Sequence, residues 1–275
     1  MNIKELNHVA IRVADIEKSV HFYSKVLNGT IILDECSDGK DRVVYVQIVN
    51  GVIELTQGKA GVDDLGFRHI AFSMEEDANF DSSVEELKSA GYKFTIDPRA
   101  TLIGSGRLCF FEDSSGVVFE LIQRNDKMRL PIQRNNKIRI PNLKNPYILD
   151  FDHISINLHD DNFKKCADFY LNIMGFKLKR ILEKNGLLVS YYSWDNDTLE
   201  TCYKKGVKKV AQHIDHIALR VESCADVKTY FKSLDIVCGD VHESPLGVYN
   251  MININGPDGE NLQFIDRPSL EEYML

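Results

Sequence analysis

A short segment that occurs four times constrains the fold of this chain more than any other feature. Each copy has a polar residue, a histidine, a branched aliphatic residue, then alanine or serine, and an apolar residue. The copies are LNHVAIRV (Leu6–Val13), FRHIAFSM (Phe67–Met74), FDHISINL (Phe151–Leu158) and IDHIALRV (Ile214–Val221). The alternating pattern predicts a strand. A repeat of this length indicates that one supersecondary unit is used four times.

Each copy is followed by a helical pattern and then by strand-like runs that end in a second matching segment. These closing segments are VIELTQ (Val52–Gln57), VFELIQ (Val118–Gln123), TLETCY (Thr198–Tyr203) and NLQFID (Asn261–Asp266). Their aligned third residues are Glu54, Glu120, Glu200 and Gln263, which follow the histidines His8, His69, His153 and His216 by 46, 51, 47 and 47 residues. The sequence therefore predicts an α+β fold of four βαβββ units in two pairs, with mixed strand order.

The stretch between the two pairs differs in composition from the rest of the chain. Residues 125–148 hold three of the seven prolines, and six basic residues against one acid. We interpret this stretch as a solvated linker. The predicted domains are residues 1–124 and 149–268, followed by a tail at 269–275.

Composition excludes several classes of function. With 33 basic and 41 acidic residues the net charge is −8, which disfavours a nucleic-acid-binding surface. No apolar run is long enough to span a membrane, and the first residues lack the layout of a signal peptide. The six cysteines are spread singly, with no CxxC pair, so we expect buried free thiols and a cytoplasmic protein.

The repeated histidines and glutamates have the chemistry of a metal site. Alternation places Glu54 on the strand face opposite Ile53 and Leu55, where a buried carboxylate needs a partner. Neutral imidazole and carboxylate oxygens together suit divalent Zn, Ni, Fe, Mn or Co. Two histidines and two glutamates leave positions open on a six-coordinate ion, which could bind adjacent oxygens of a substrate as a Lewis acid.

With these features the chain resembles the glyoxalase / vicinal oxygen chelate (VOC) superfamily, which includes glyoxalases, epimerases, extradiol dioxygenases and bleomycin-resistance proteins. The resemblance rests on the fourfold unit, on SVHFYSKVLN, and on the closing hairpins FFEDSSGVVFEL and NINGPDGENLQF. It covers the chain apart from the linker and the residues after Arg267. It implies two tandem domains whose curved sheets surround a metal pocket.

The resemblance implies eight metal ligands, four from each half: His8, Glu54, His69 and Glu120, then His153, Glu200, His216 and Gln263. Two pairing schemes are open. Ligands from one half could form each site, or units could be exchanged so that His69, Glu120, His153 and Glu200 form one site. Either way one site contains Gln263, whose neutral carboxamide is a weaker ligand and no base at neutral pH. We therefore expect unequal sites, with the chemistry at Glu120.

Three kinds of activity are consistent with the resemblance. The first is metal-assisted proton transfer, of the lyase, isomerase or epimerase type, with Glu120 and Glu54 as the catalytic bases. The second is extradiol ring cleavage, although Gln263 stands where that pattern has glutamate, and Asn253 and Phe110 stand where it has tyrosine. The third is sequestration of a ligand, as in resistance proteins.

Four further residues are candidates for binding a carboxylate or phosphate of the substrate. They are Arg12, Arg107, Arg220 and His242. Arg12 and Arg220 follow their histidines by four residues, a spacing that keeps them on the same strand face as the histidine. We expect a small-molecule substrate, no nucleic-acid or membrane partner, and a monomer or homodimer.

Overall fold

The structure is a computed structural model. It describes residues 1, 3–36, 42–58, 64–75, 78–101, 106–124, 148–194, 197–208, 213–247 and 249–268. Of the predicted linker only Ile148 is among them, and the predicted tail lies outside the described residues.

The first half forms one eight-stranded sheet with two helices. The strands are β1 (Ile3–Val13), β2 (Thr30–Cys36), β3 (Arg42–Ile48), β4 (Gly51–Gln57), β5 (Gly66–Met74), β6 (Lys93–Ala100), β7 (Gly106–Glu112) and β8 (Val118–Arg124). The helices are α1 (Ile16–His21) and α2 (Phe80–Ser89).

The second half repeats this order. Its strands are β9 (Ile148–Leu158), β10 (Lys177–Lys184), β11 (Leu187–Trp194), β12 (Asp197–Lys204), β13 (Ile214–Val221), β14 (His242–Glu243), β15 (Asn250–Asn255) and β16 (Asn261–Ile265). Its helices are α3 (Phe163–Asp168) and α4 (Cys224–Ser233).

Both sheets have the mixed strand order that the repeat predicts. The first runs β2-β3-β4-β1-β5-β8-β7-β6, and the second runs β10-β11-β12-β9-β13-β16-β15-β14. The opening strands of two units, β1 and β5, pair antiparallel at the centre, while each opening strand pairs in parallel with the closing strand of its own unit. The α+β prediction with βαβββ units is thereby confirmed.

The period of two along each strand separates two faces of each sheet. On β4 the buried side chains Ile53 and Leu55 join the common hydrophobic core. Glu54 points to the other face, which it shares with His8. We call this second face, in either sheet, the histidine face.

The first and third α-helices have only 6 residues each. Asp15 caps α1 by accepting a hydrogen bond from the backbone of Lys18, as expected of an aspartate at a helix start. After His21 the α-helix gives way to a π-helical turn, Phe22–Val26, and α3 is followed by an equivalent turn, Phe169–Ile173. These turns contain the Phe-Tyr pair that both helices share, and the two tyrosines, Tyr23 and Tyr170, are fully buried.

The helix-bearing faces of the two halves pack on each other. The ring of Phe169 lies 5.5 Å from Phe119, and Phe176 lies 5.3 Å from Phe72. One hydrophobic core runs through both halves. This packing leaves the histidine faces as the two sides free for a site.

Two expectations from composition can be compared with the structure. In the described part of the chain, no helix combines the length and the apolar character needed to cross a bilayer. All six cysteines are free. Only half of them are buried, namely Cys109, Cys166 and Cys224, whereas Cys36 is exposed.

Candidate metal centres

Strand register brings the predicted ligands of the first half together. On β1 and β5, His8 lies opposite Ala71 and Ala10 lies opposite His69. On the outer sides, Glu54 of β4 pairs with Ala10, and Glu120 of β8 pairs with Ala71. Because Ala10 and Ala71 each follow a histidine by two residues, all four ligands project from the same face of four adjacent strands.

The four side chains converge on one point. The two Nε2 atoms of His8 and His69 are 3.2 Å apart. Glu120 Oε2 lies 3.2 Å from His8 Nε2 and 3.1 Å from His69 Nε2. Glu54 Oε2 lies 3.2 Å from His8 Nε2. We call these four residues the first cluster.

Neighbouring side chains hold the first cluster in place. His8 Nδ1 lies 2.8 Å from the side-chain oxygen of Asn7, and the Tyr45 hydroxyl donates to Glu54 Oε2 over 2.5 Å. Burial raises the pKa of Tyr45 well above its ordinary value, and the charge of Glu54 adds to the effect, so the hydroxyl stays a donor. For Glu120, burial alone would raise the pKa, but the neighbouring His69 and His8 outweigh it and lower the pKa.

The donor set of the first cluster fits a divalent metal. With its Nδ1–H donated to Asn7, His8 directs the lone pair of Nε2 toward Nε2 of His69. Two imidazole nitrogens at this distance need a shared cation or proton between them. Nε2 ligands, an orienting acceptor behind the imidazole and carboxylate oxygens are the elements of a transition-metal site. The residues present thus suit Zn, Ni, Fe, Mn or Co without choosing among them.

The second half has an equivalent cluster with one carboxylate fewer. His153 Nε2 and His216 Nε2 are 3.2 Å apart, and Glu200 approaches them to 3.5 Å and 3.8 Å. Gln263 pairs with Ala218, which is the register position of Glu120 beside Ala71. Asn253 stands opposite Gln263, and its buried side-chain oxygen has no hydrogen-bond partner. We call His153, Glu200, His216 and Gln263 the second cluster.

Glu200 is held differently from Glu54. It accepts a hydrogen bond of 2.8 Å from the Ser155 hydroxyl, and the Cys202 thiol lies 3.3 Å from the same oxygen. Burial acts to raise the pKa of Glu200, but the charges of His153 and His216 prevail and lower it to about 2. A carboxylate of this kind is ionised across the physiological range and is available as a ligand.

Of the four residues predicted to bind substrate, two lie on a histidine face. The strand register puts Arg12 on the face of Glu54, where it pairs with Asp64. Arg220 lies on the face of Gln263, 3.8 Å from Asp150. Substrate binding by these two residues stays a prediction.

The structure does not bring Arg107 and His242 to the clusters. Arg107 donates two hydrogen bonds to Asp81 of α2 and stacks on Phe80, on the helix-covered face of the sheet. His242 lies on β14, the edge strand of the second sheet, and its Nδ1 is 3.0 Å from the backbone oxygen of Asp240. Sequence spacing alone could not place them. It does not show which face of β7 carries Arg107, or that β14 lies at the edge of its sheet.

Several residues of the clusters were not identified from the sequence. The polar residue before the histidine is one: Asn7, Asp152 and Asp215 each bind the Nδ1 of the histidine that follows. The sequence carries a signal for this position, because a polar residue precedes the histidine in all four repeats. Tyr45 and Tyr191 are the others, each paired across the sheet with the glutamate nine residues later.

Of the two pairing schemes, the structure has the one in which each site takes its ligands from one half. The atoms of His8, Glu54 and His69 lie within 4.8 Å of one another, as do those of His153, Glu200 and His216. The scheme with exchanged units would separate β1 from β5, which are neighbours here.

Comparison with known proteins agrees with this geometry. The profile of the glyoxalase/bleomycin resistance protein/dioxygenase superfamily matches residues 5–121, which contain the first cluster. A probable lactoylglutathione lyase of Synechocystis sp. is 33% identical over 131 residues, covering 44% of this chain and 97% of the relative.

Solved structures match nearly the whole chain. The Mn(II)-bound glyoxalase from Novosphingobium aromaticivorans has a TM-score of 0.67 at 17% identity, covering 96% of this chain and 82% of that one. The 2,3-dioxygenase LapB from Pseudomonas sp. KL28 has a TM-score of 0.66 at 15% identity, covering 98% and 97%. At these identities the likeness concerns the fold.

Proposed function

Because the chain belongs to the glyoxalase/bleomycin resistance protein/dioxygenase superfamily, we propose that its first cluster binds a divalent metal and catalyses proton transfer on a small substrate with adjacent oxygens. The reaction class is that of a lyase or isomerase. The observation that carries the proposal is the convergence of His8, His69, Glu54 and Glu120 on one point.

The residues of the first cluster have separable roles in this proposal. His8, His69 and the two glutamates would hold the ion, which when bound supplies a Lewis acid for the substrate oxygens. Glu54 has its Oε2 engaged by the Tyr45 hydroxyl, whereas the contacts of Glu120 are with the two histidines. Glu120 contacts the two histidines and is 4% exposed, in surroundings that strengthen its interactions with a bound substrate. We assign the proton transfer to Glu120.

The names of the relatives suggest the first substrate to test. Lactoylglutathione has an oxygen on each of two adjacent carbons, and the proton on the carbon beside its thioester is the one that a metal-assisted base would remove. Arg12 lies on the same sheet face and is the candidate partner for a substrate carboxylate.

The test is proton exchange in deuterium oxide. Protein loaded with Ni²⁺, Zn²⁺ or Co²⁺ is incubated with lactoylglutathione, and deuterium at the carbon beside the thioester is followed by NMR. We expect exchange that depends on the metal and is lost after chelation. Metal-loaded protein that exchanges no faster than the His8→Ala variant would contradict the proposal.

One observation favours a second candidate function, extradiol ring cleavage in the second half. His153, His216 and Glu200 form a set of two histidines and one carboxylate, the ligand type of non-haem iron oxygenases. Gln263 and Asn253 in place of a glutamate and a tyrosine count against it. Oxygen uptake by Fe²⁺-loaded protein with catechols tests this function, and His216→Ala is the matched variant that should abolish any uptake.

A further inference from the structure

The two clusters differ in where their carboxylates stand. In the first cluster both carboxylates, Glu54 and Glu120, lie in the ring around the two histidine Nε2 atoms. The second cluster has one such carboxylate, Glu200. It has two further carboxylates behind the histidines, Asp152 and Asp215, where the first half has Asn7 and Arg68.

These two outer carboxylates bond directly to the histidines. Asp152 Oδ1 lies 2.6 Å from His153 Nδ1, and Asp215 Oδ2 lies 2.7 Å from His216 Nδ1. A carboxylate on Nδ1 fixes the tautomer and makes Nε2 a stronger ligand. Both imidazoles of the second cluster are therefore prepared to bind a cation.

Each outer carboxylate is itself held from behind. Arg267 donates to Asp152 Oδ1, and the side chains of this ion pair are 0% exposed. Asn157 donates to Asp215 Oδ1 over 2.6 Å. A buried ion pair needs a well-formed setting to persist, which indicates a built arrangement and not an incidental surface contact.

The first half provides an internal comparison at the same sequence positions. Arg124 occupies the place of Arg267, four residues after Glu120 as Arg267 follows Gln263. The residue before the first histidine is the amide Asn7, where the second half has the carboxylate of Asp152. Among the described residues, the buried arginine–carboxylate–histidine chain therefore occurs only in the half that has lost an inner glutamate.

We propose that Asp152 and Asp215 are positioning residues that strengthen His153 and His216 as ligands, that Asp215 also supplies negative charge which Gln263 does not, and that together they make the second cluster a divalent-metal site of its own. The chain then binds two cations, one in each half. The second site takes a metal that prefers imidazole, such as Zn²⁺ or Co²⁺, and its carboxylates act through the histidines. Weak binding at Gln263, the expectation from its amide alone, is offset by the stronger imidazole ligands.

The experiment measures metal binding in the absence of substrate, so its outcome is independent of the proposed proton transfer. The full chain is stripped with a chelator and titrated with Zn²⁺ by calorimetry, and Co²⁺ absorption spectra report the ligand field. Wild type should bind two equivalents. The double variant His8→Ala/His69→Ala should retain one, with the Co²⁺ spectrum of the second cluster.

Substitutions in that double variant test the positioning residues. In Asp215→Asn the amide oxygen still accepts from His216, as Asn7 does for His8, while its NH2 group can donate to Asn157 if that amide turns its oxygen inward. The main loss is then the charge, and we expect about tenfold weaker Zn²⁺ binding. Asp215→Ala removes the hydrogen bond too and should weaken binding by up to about 100-fold. Asp152→Asn also removes the charge that Arg267 contacts, so its effect on Zn²⁺ binding includes the loss of that ion pair. Asp150→Asn is the control, because this acid lies on the same strand and contacts no ligand histidine.

Two results would overturn the proposal. One is a single equivalent of Zn²⁺ in wild type, lost in His8→Ala/His69→Ala protein that retains the wild-type circular dichroism spectrum. The other is a second equivalent whose affinity is the same in Asp215→Ala as in its parent.

Discussion

At the scale of single residues, the difference between Glu120 and Gln263 separates the two halves most sharply. Both stand at the same register beside an alanine of the neighbouring strand. One side chain is a base and a charged ligand, and the other is neither at neutral pH. Because Gln263 shows that the fold accommodates the amide, the exchange of Glu for Gln at residue 120 is a clean functional probe.

The first prediction concerns this exchange. Glu120→Gln should reduce metal-dependent proton exchange by at least about 100-fold, the usual contribution of a general base, while the melting temperature of the metal-free protein changes little. Gln263→Ala is the matched control and should leave the exchange rate within about threefold of wild type. Equal losses in the two variants would show that activity does not reside in the first cluster.

At the scale of elements, the hairpin between β3 and β4 links the halves. Its Asn50 accepts a hydrogen bond of 2.7 Å from Phe151 N on β9, and Asp197 at the start of β12 accepts one of 2.9 Å from Leu6 N on β1. The two contacts are reciprocal. In each half, a residue of this hairpin accepts a hydrogen bond from the backbone of the opening strand in the other half. At Gly51 this approach leaves no space for a side chain.

The second prediction tests that approach. A Cβ on Gly51 would lie 2.1 Å from the ring of Phe151, so Gly51→Ala should lower the free energy of unfolding by about 1–3 kcal/mol. Gly239→Ala is the control, because its Cβ would meet only the backbone oxygen of Asn253, at 3.4 Å. Urea denaturation followed by fluorescence measures both. Equal stability of the two variants would mean that the hairpin between β3 and β4 does not pack tightly against β9.

The π-helical turns are a second element that the sequence did not reveal. A helical period fits residues on both sides of Phe22 and Phe169, so the pattern predicts an uninterrupted helix in each case. In the structure Leu27 N and Met174 N bond to the carbonyl oxygens five residues earlier. The widened turn accompanies two buried tyrosines whose hydroxyl groups reach the other half of the molecule.

At the scale of the whole molecule, two buried tyrosine–carboxylate bonds join the halves. Tyr23 of the first half donates to Glu260 of the second, and Tyr170 of the second donates to Asp113 of the first over 2.8 Å. The four residues lie at equivalent positions of the repeat. Both carboxylates are buried, so their oxygens depend on these donors.

The third prediction is a loss of stability on removing one hydroxyl. Tyr170→Phe leaves Oδ2 of the buried Asp113 without its donor and should lower the free energy of unfolding by about 1–3 kcal/mol. Tyr203→Phe removes an equally long bond, to Asp160, at an exposed site, and should cost less than about 0.5 kcal/mol. Similar costs for the two changes would exclude a special role for the bond between the halves.

The fourth prediction is a dependence on pH that originates at Glu260. Burial raises the pKa of Glu260 above its ordinary value, although the bond from Tyr23 acts against it. The folded state therefore holds this proton more tightly than the unfolded state, and its contribution to stability falls as pH rises from the ordinary glutamate pKa through the raised one. Glu260→Gln removes the titration, so the variant should gain stability relative to wild type as pH rises from about 4 to 7.

Urea denaturation at several pH values measures this difference. In the variant, the amide can donate to the Tyr23 oxygen while its carbonyl accepts from Asp258 N, so the local bonds are kept. Glu183→Gln, on the exposed edge strand β10, is the control and should run parallel to wild type. A constant offset between wild type and Glu260→Gln would show that Glu260 does not titrate in this range.

The sequence by itself determined the unit of the fold and the chemistry of the clusters. The period of two in LNHVAIRV and its copies, and the return of a glutamate or glutamine after each, are local properties that remain visible without the fold. The type of ligand follows from residue chemistry alone, as does the inequality between Glu120 and Gln263.

Only the tertiary structure decided which units pair, and what stands behind each ligand. Pairing of β1 with β5 joins residues about sixty positions apart, and no local pattern states which of four similar strands will be neighbours. The same holds for Arg107, which the sheet turns toward α2, and for Arg267, which finds Asp152 across 115 residues. Register and burial are properties of the assembled sheets, and they decide whether a charged side chain reaches a metal site, supports a ligand or pairs at the surface.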